Sequence, residues 1–290
     1  MQVTELIAAS AAQMEAASLS FGQGTLTAED EAAWLVLWKL GMPLDTEPSQ
    51  IPSSLSAHQV ADVQALILER IQSRKPAAYL TREAWLQGVP FYIDERSIVP
   101  RSFIAELLAE GTIDYWLGEH TRRVLDLCTG NGSLAVLTAM TYPDVTVVGA
   151  DLSSDALAVA RINIDRHGLT DRISLLQSDG LASVPGLFDL MVCNPPYVCE
   201  ASMQALPAEF LAEPSLALAG GEDGMDFIRQ LFFDAPDHLH AQGVLVLEIG
   251  NERAHFENAF PTLEAIWLDT SAGEDQVLLV TRQALLTLQG

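Results

Sequence analysis

Cysteine is scarce in this chain: the only three in 290 residues are Cys128, Cys193 and Cys199. So few thiols exclude a small scaffold held together by disulfides, and none of the three shows the spacing of a metal site. We interpret them as buried thiols that pack like small apolar side chains. The cysteine content therefore predicts a reducing, cytoplasmic location and no bound metal.

Long apolar runs are also missing. No stretch reaches the length of a membrane span, and residues Met1–Leu6 lack the basic region and apolar core of a secretory signal. The composition, 49% hydrophobic and 19% charged, is that of a globular protein. A chain of 290 residues can form one large domain or two ordinary ones.

Basic residues are few. The chain has 15 of them against 39 acidic residues, a net charge of −24, and its only lysines are Lys39 and Lys75. Such a surface repels a phosphate backbone, so we expect no tight binding of nucleic acid. Two interpretations of the acidity stay open: it serves solubility alone, or it attracts a cationic partner.

Residues 1–80 have the pattern of a helical domain. Residues 28–40 are apolar at helical spacing with acids in the first turn, and residues 56–74 predict a second helix. Between them, residues 48–55 predict a loop. Two tryptophans of the first stretch share one face, which indicates core packing. They are Trp34 and Trp38.

Residues 81–100 predict two short strands around a turn, a hairpin that links the helical domain to residues 101–290. From Arg122 onward strand and helix patterns alternate, which favours an α/β fold with helices on both faces of a parallel sheet. The loop at 270–275 is too short for a crossover helix, so the last strand should run antiparallel. The predicted strands are 124–128, 145–150, 173–177, 187–193, 244–249, 265–268 and 277–281, and the main helices are 154–167, 225–240 and 252–260.

The most informative motif is Asn194-Pro195-Pro196-Tyr197, which follows an apolar strand pattern at 188–193. Two consecutive prolines cannot continue a parallel sheet, because neither supplies a backbone N–H. The strand must therefore end at Asn194, at the edge where open α/β sheets bind their ligands. An amide side chain, stiff carbonyls and an aromatic ring suit a planar NH2 group. The alternative is a plain Pro-Pro turn.

A glycine-containing loop follows the first predicted strand of this sheet. Gly130 and Gly132 let backbone N–H groups approach a ligand at a helix N-terminus. The loop lacks the third glycine of a dinucleotide fingerprint and the lysine of a P-loop. By itself this pattern is also compatible with a tight turn.

Polar groups follow three further strands at the same edge. Asp151 ends the second strand, Asp179 and Gly180 follow the third, and Asn194 follows the fourth. For Asp151 a helix N-cap is the alternative role, for which two neighbouring serines compete. Polar groups that converge on one sheet edge are typical of a ligand site, so we expect a shared nucleoside pocket.

Together these motifs resemble the Rossmann-like, class I methyltransferases that use S-adenosylmethionine. The resemblance implies a seven-stranded mixed sheet with the last strand antiparallel. It also implies that the first loop meets the methionine part of the cofactor, Asp151 the ribose and Asp179-Gly180 the adenine, with S-adenosylhomocysteine as product. The candidate cofactor-binding residues are Asp126, Cys128, Thr129, Gly130, Asn131, Gly132, Asp151, Leu152, Asp179, Gly180 and Asn194.

The Asn-Pro-Pro-Tyr motif resembles that of methyltransferases acting on amide or exocyclic amino nitrogens. We expect the Asn194 oxygen and the Pro195 carbonyl to accept the two N–H bonds of the substrate nitrogen, and Tyr197 to cover its flat face. The candidate catalytic residues are Asn194, Pro195, Pro196 and Tyr197.

The resemblance extends over nearly the whole chain. Residues 84–107, 206–209, 213–214, 219–224 and 248–251, with 21–25 in the helical part, resemble PrmB-type enzymes of the HemK/PrmC-like protein N5-glutamine methyltransferase family. This implies methylation of a glutamine amide on large-subunit ribosomal protein three, a basic partner, with residues 1–80 as a substrate-recognition domain. A release-factor glutamine methyltransferase, a DNA adenine methyltransferase and a non-catalytic, cofactor-binding ribosome-assembly factor remain as alternatives, and the acidity disfavours the DNA enzyme.

Overall fold

The N-terminal part of the computed structural model is helical, as the sequence predicts. The structure describes residues 1–46, 52 and 54–288, so most of the loop predicted at 48–55 lies outside the described residues. Helices begin at polar caps: the Thr27 and Ser56 hydroxyls accept the N–H groups of Asp30 and Gln59. The helices are α1 (Val3–Ala16), α2 (Ala28–Lys39), α3 (Ala57–Ser73) and the short α4 (Ala77–Thr81).

The predicted hairpin is present and is fastened to the following domain. Strands β1 (Glu83–Leu86) and β2 (Val89–Tyr92) pair antiparallel. The Asn163 carboxamide bonds both the N–H and the carbonyl of Tyr92, at 2.7 and 3.0 Å. The Asn131 amide donates to the Ile98 carbonyl at 2.9 Å. The segment after the hairpin therefore lies against the sheet edge at which the predicted ligand residues end.

A seven-stranded mixed sheet forms the centre of the molecule, in the order β5-β4-β3-β6-β7-β9-β8. The seven predicted strands are all present and form six neighbouring pairs. Strand β9 runs antiparallel to both of its neighbours, β7 and β8. The insertion of β9 between β7 and β8 is not encoded in any local pattern. The strands are β3 (Arg123–Leu127), β4 (Thr146–Asp151), β5 (Ile173–Gln177), β6 (Phe188–Cys193), β7 (Leu239–Glu248), β8 (Ile266–Thr270) and β9 (Gly273–Thr281).

Helices cover both faces of this sheet. Along β3, Val124 packs into one apolar cluster and Leu125 and Leu127 into the other, so a single strand is buried on both sides. One predicted helix was too long: residues 225–240 are α-helical only to Asp234, continue as a 3-10 turn, and enter β7 at Leu239. Pro236 lacks the N–H that would continue the α-helix. The helices are α5 (Ile104–Glu110), α6 (Ser133–Thr141), α7 (Ser154–Arg166), α8 (Glu200–Ala205), α9 (Asp226–Asp234), α10 (Arg253–Ala259) and α11 (Arg282–Leu286).

None of the helices among the described residues is both long and apolar enough to cross a membrane.

A buried charge network joins the helical part to a loop of the sheet domain. The Arg70 guanidinium, on α3, is buried and donates to Glu31 on α2 at 2.7 Å. Its Nη1 lies 3.7 Å from the buried Glu209, to which Arg74 donates at 2.9 Å. The Gln23 amide donates to the Glu209 carbonyl at 3.3 Å. Glu209, in the loop after α8, is therefore held by partners from the first 80 residues.

We expect Arg70→Met to lower the free energy of unfolding by about 3–5 kcal/mol, because it leaves Glu31 buried without its cation. Lys75→Met is the matched control, since Lys75 pairs with Glu95 at the surface and such pairs contribute about 0–1 kcal/mol. Urea unfolding of the three proteins measures the difference. Equal losses in both variants would contradict the role given to the network.

Candidate functional site

A cavity opens at the carboxyl ends of four neighbouring strands, β5, β4, β3 and β6. This is the edge at which the sequence predicts a ligand pocket. Eight of the predicted residues line it: Cys128, Gly130, Asp151, Leu152, Asp179, Gly180, Asn194 and Pro196. We call this space the cofactor cavity.

The loop after β3 depends on left-handed backbone conformations. Cys128, Gly130 and Gly132 have φ angles of 60°, 55° and 79°. A Cβ on Gly132 would lie 3.2 Å from the Cα of Ala160 on α7, so only glycine lets α6 and α7 pack this closely. Cys128 takes a conformation that is uncommon for a residue with a side chain. Gly132 thus serves packing and does not line the cavity.

Asp126 organises this loop from below. It is fully buried, and its Oδ2 accepts the Thr129 hydroxyl at 2.5 Å and the Ala135 N–H at 2.9 Å. Its other oxygen has no hydrogen-bond partner among the described residues. Burial without a cation raises the pKa of this carboxyl to about 7. Asp126 and Thr129 therefore shape the loop and do not line the cavity.

Asn131 also lies behind the cavity wall. Its side chain donates to the Ile98 carbonyl and accepts the Ser133 N–H at 2.9 Å. Four predicted cofactor residues are thus structural neighbours of the cavity: Asp126, Thr129, Asn131 and Gly132.

Asp151 lines the cofactor cavity at the end of β4. Its two oxygens accept the N–H groups of Gly130 and Ser153, at 2.9 and 2.8 Å. Burial raises the pKa of this carboxyl, although the two backbone bonds oppose the shift. The N-cap of α7 is Ser153, not Asp151. Because each carboxylate oxygen has a second lone pair, Asp151 can still accept hydroxyl groups of a ligand.

The remaining wall comes from residues that the sequence interpretation missed. Ser97 belongs to the segment after the hairpin, where Tyr79 of α4 donates to its carbonyl at 2.6 Å. The Ser97 hydroxyl is buried, has no partner among the described residues, and lies 3.3 Å from the Cβ position of Gly130. Phe227 of α9 borders the cavity beside Gly180. The motif at 84–107 includes Ser97 but predicts no role for it, and Phe227 lies in no local motif.

A second cavity, which we call the acceptor cavity, adjoins the first. Asn194, Ile98 and Ala217 line both. No hydrogen bond engages the Asn194 carboxamide among the described residues. Asn194 thus lies at the junction of the two spaces with its polar atoms free. The other lining residues are Arg101, Pro195, Tyr197, Val198, Leu206, Phe210 and Leu218.

Three glycines hold the turn after β6 in place. A Cβ on Gly224 would come within 2.2 Å of the Tyr197 carbonyl oxygen, and one on Gly220 within 2.8 Å of the Pro196 oxygen. A Cβ on Gly250 would lie 2.6 Å from the Tyr197 ring. The motifs at 219–224 and 248–251 therefore supply glycines, whose lack of a side chain lets their backbone pack directly against Pro196 and Tyr197.

Glu248, at the end of β7, lies beneath the same turn. It accepts the Ser102 hydroxyl at 2.6 Å and the Phe103 N–H at 2.9 Å, and the Tyr197 hydroxyl is 3.5 Å from its other oxygen. Burial raises the pKa of Glu248 to about 7. Burial also raises the pKa of Tyr197, with Glu248 as the next cause. Tyr197 is therefore a neutral phenol at neutral pH.

The outer wall of the acceptor cavity is fixed by one bidentate ion pair. Arg101 donates to both oxygens of the buried Glu213, at 2.6 and 2.8 Å. Its guanidinium lies 5.6 Å from the centre of the Phe210 ring. Phe210 in turn lies 3.4 Å from the Cβ position of Gly22. The helical part of the chain thus touches the wall of this cavity.

One group of potential metal ligands lies near the turn: Cys199, Glu252 and His255, whose ligand atoms are within 4.8 Å of one another. Glu252 and His255 share a hydrogen bond of 2.7 Å, and Cys199 contacts the Ser202 hydroxyl at 3.3 Å. These bonds satisfy the three side chains without an ion. That the protein holds no metal stays a prediction.

Comparison with known proteins gives the same class of fold. A family model described as the methyltransferase small domain matches residues 105–223. Among solved structures, the hMettl16 catalytic domain in complex with MAT2A 3′UTR hairpin 6 has a TM-score of 0.52 at 12% identity, covering 79% of this chain and 83% of that chain. At this identity the likeness concerns the fold alone. The predicted class I methyltransferase fold is confirmed.

Curated relatives match almost the whole chain. The ribosomal protein uL3 glutamine methyltransferase of Bordetella pertussis is 49% identical over 98% of this chain and 96% of its own length. The protein of the same name from Burkholderia pseudomallei is 47% identical over 99% of this chain and 97% of its own length.

We expect Asp126→Asn to change how stability depends on pH. The carboxyl has a pKa of about 7 in the folded protein against an ordinary value of 3.8, so the folded protein holds a proton that the unfolded chain releases. This contribution is present below pH 3.8 and is lost as the pH rises to about 7. Thermal unfolding between these pH values should show a smaller fall in stability for the variant than for wild type. The exposed Asp155→Asn should leave the profile unchanged; if Asp126→Asn does so as well, the assignment fails.

We expect Gly250→Ala to weaken methyl transfer through Tyr197. Gly168→Ala is the matched control: both glycines have positive φ, 53° and 66°, but a Cβ on Gly168 meets nothing within 4 Å. Both variants bear the left-handed backbone cost of roughly 1–2 kcal/mol. Only Gly250→Ala should lower kcat and raise KM for the acceptor, while calorimetry gives unchanged affinity for S-adenosylhomocysteine. Equal kcat and KM in the two variants would contradict a role in methyl transfer for the close packing of Gly250 against the Tyr197 ring.

Proposed function

Because the chain belongs to the family of ribosomal protein uL3 glutamine methyltransferases, we propose that it transfers a methyl group from S-adenosylmethionine to the side-chain amide nitrogen, N5, of a glutamine in that ribosomal protein. This is the large-subunit protein three that the sequence motifs imply. Identity of 49% over 98% of the chain supports the assignment, since the similarity includes the helical part as well as the sheet.

The observation that carries the proposal is the position of Asn194. It lines both cavities, and its carboxamide has no partner among the described residues. An unpartnered polar side chain at the junction of the two cavities can bind the substrate nitrogen where the methyl group passes from the cofactor cavity to the acceptor cavity. The motif Asn194–Tyr197 is therefore the proposed centre of transfer.

The cofactor cavity offers groups that fit S-adenosylmethionine. The unpartnered Ser97 hydroxyl can bind the charged amino-acid end, and Asp151 can accept ribose hydroxyls. Leu152 and Phe227 supply apolar surface for a flat base beside Asp179 and Gly180. The bound cofactor supplies a methyl carbon attached to a cationic sulfur, and S-adenosylhomocysteine is the product.

The acceptor cavity suits a glutamine side chain. A carboxamide nitrogen is a poor nucleophile because its lone pair is delocalised into the carbonyl. Asn194 Oδ1 and the Pro195 carbonyl are acceptors that can hold its two N–H bonds, which favours a more pyramidal nitrogen. Tyr197 covers the flat face. Orientation of this kind can supply roughly 7–11 kcal/mol of the barrier.

No histidine or lysine lines the acceptor cavity among the described residues. The residues of the motif therefore do not deprotonate the amide before transfer. We propose that the proton leaves to solvent water after the new C–N bond has formed and the C–S bond has broken, when the nitrogen has become acidic.

A basic protein substrate agrees with the charge of the chain. The net charge of −24 attracts a cationic protein and repels free nucleic acid. Residues 1–80 are the proposed recognition domain, residues 81–100 the linker and residues 101–290 the catalytic domain. Because uL3 is a ribosomal protein, we propose that the enzyme acts in the cytoplasm.

We expect Asn194→Ala to lower kcat by roughly 100-fold or more, the order of effect seen when one transition-state hydrogen bond is removed. The assay transfers labelled methyl from S-adenosylmethionine to purified uL3. Gln204→Ala, at an exposed position of α8, is the control and should keep wild-type rates. Binding of S-adenosylhomocysteine and thermal unfolding show that the Asn194 variant is folded.

The same assay separates the alternatives. Wild-type enzyme should label uL3 and leave release factors unlabelled. Labelling of release factors alone would identify the related release-factor enzyme. No label on any protein, with S-adenosylhomocysteine still bound, would favour a non-catalytic assembly factor.

A further inference from the structure

We propose that a groove on the helical part of the chain, which we call the tryptophan groove, holds an extended basic segment of the protein substrate. This inference rests on the proposed function and adds a second contact surface, outside both cavities. The groove is lined by Gly24, Thr25, Asp30, Ala33, Trp34, Leu37, Trp38, Met42, Pro43, Leu44, Asp45, Glu83 and Trp85.

Helix α2 supplies the floor of the groove. The face formed by Ala33, Trp34, Leu37 and Trp38 follows the spacing of one side of a helix. Trp34 is buried, in agreement with its predicted core role. Leu37 is buried as well, whereas Ala33 and Trp38 are half-buried and line the groove.

Two large apolar side chains form the walls and are open to solvent. Trp85 on β1 is 41% exposed, and Leu44, after α2, is 42% exposed. Both border the two adjoining hollows that make up the groove. Exposed aromatic and aliphatic side chains that line a groove are typical of peptide-binding sites.

The polar groups of the groove indicate the charge of its occupant. Asp30, Asp45 and Glu83 stand on its rim, and no lysine or arginine is among its lining residues. Basic side chains of the occupant can pair with these acids on the rim. The chemistry therefore matches a cationic peptide segment with at least one apolar residue.

The groove is connected to the acceptor cavity through residues 22–25. A Cβ on Gly24 would lie 3.5 Å from the Trp34 ring, in the groove. A Cβ on Gly22 would lie 3.4 Å from Phe210, in the wall of the acceptor cavity. The Gly22 N–H bonds the Thr25 carbonyl at 2.8 Å, which makes this segment one tight turn. A substrate segment in the groove thus lies one turn of chain away from the wall that receives the glutamine.

The test measures binding and methylation of uL3 by Trp85→Ala. Tyr115→Ala is the matched control, because Tyr115 is an aromatic side chain, 87% exposed, that lines neither groove nor cavity. We expect Trp85→Ala to raise both the Kd and the KM for uL3 by roughly tenfold, the size of effect expected when one aromatic side chain is removed from a binding interface. The Kd is measured with fluorescently labelled uL3. The kcat and the affinity for S-adenosylhomocysteine should not change. A short glutamine peptide that fills the acceptor cavity alone should be methylated at wild-type rates.

Charge is tested by Asp45→Lys, which should also weaken uL3 binding and reduce its dependence on salt. Wild-type affinity for uL3 in both groove variants overturns the proposal, even if wild-type enzyme methylates uL3. Loss of a dimer in Trp85→Ala, measured by sedimentation, overturns it too, because a second copy would then occupy the groove. Failure of the wild type to methylate uL3 rejects the proposed function instead, while the binding comparison still decides the role of the groove.

Discussion

The site depends on the abrupt end of β6. Pro195 and Pro196 cannot extend the sheet, so the chain leaves it at Asn194 and turns between two cavities. The turn has no strand partner of its own beyond the Val198–Ala219 bridge among the described residues. Neighbouring segments must therefore hold it, and they do so with bare glycine backbone and with the buried Glu248. This arrangement fixes the position of the Asn194–Tyr197 turn between the two cavities and does not supply a strong base.

The helical part of the chain is built into the same site. Tyr79 holds the carbonyl of Ser97 beside the cofactor cavity, and Arg70 and Arg74 surround Glu209 beside the acceptor cavity. Charges buried in this way are costly unless they are paired, so the two parts of the chain depend on each other. We therefore regard the first 80 residues as a structural support of the segments around both cavities.

The sequence predicted the features that follow from local rules. The Pro-Pro stop, the hairpin and the antiparallel last strand were correct because each depends on backbone chemistry or on loop length. The predicted starts of β7 and β9 were five and four residues too late, since both strands begin in polar stretches, at Leu239 and Gly273. The partners of Glu209 and Gly250 were not predictable, since these contacts join residues far apart in sequence. Helix 225–240 was predicted too long because its apolar spacing continues past Asp234, where Pro236 and pairing in β7 end it. Asp126 and Asn131, two of the candidate cofactor-binding residues, do not line the cavity, because their side chains bond the segments around it.

The central claim is that a glutamine amide and the methyl-bearing sulfur meet at Asn194. A crystal structure with S-adenosylhomocysteine and a glutamine peptide of uL3 tests it most directly. The account predicts the sulfur in the cofactor cavity and the glutamine nitrogen in the acceptor cavity, within hydrogen-bonding distance of Asn194 Oδ1. A sulfur directed away from Asn194, or a glutamine bound outside the acceptor cavity, would contradict it.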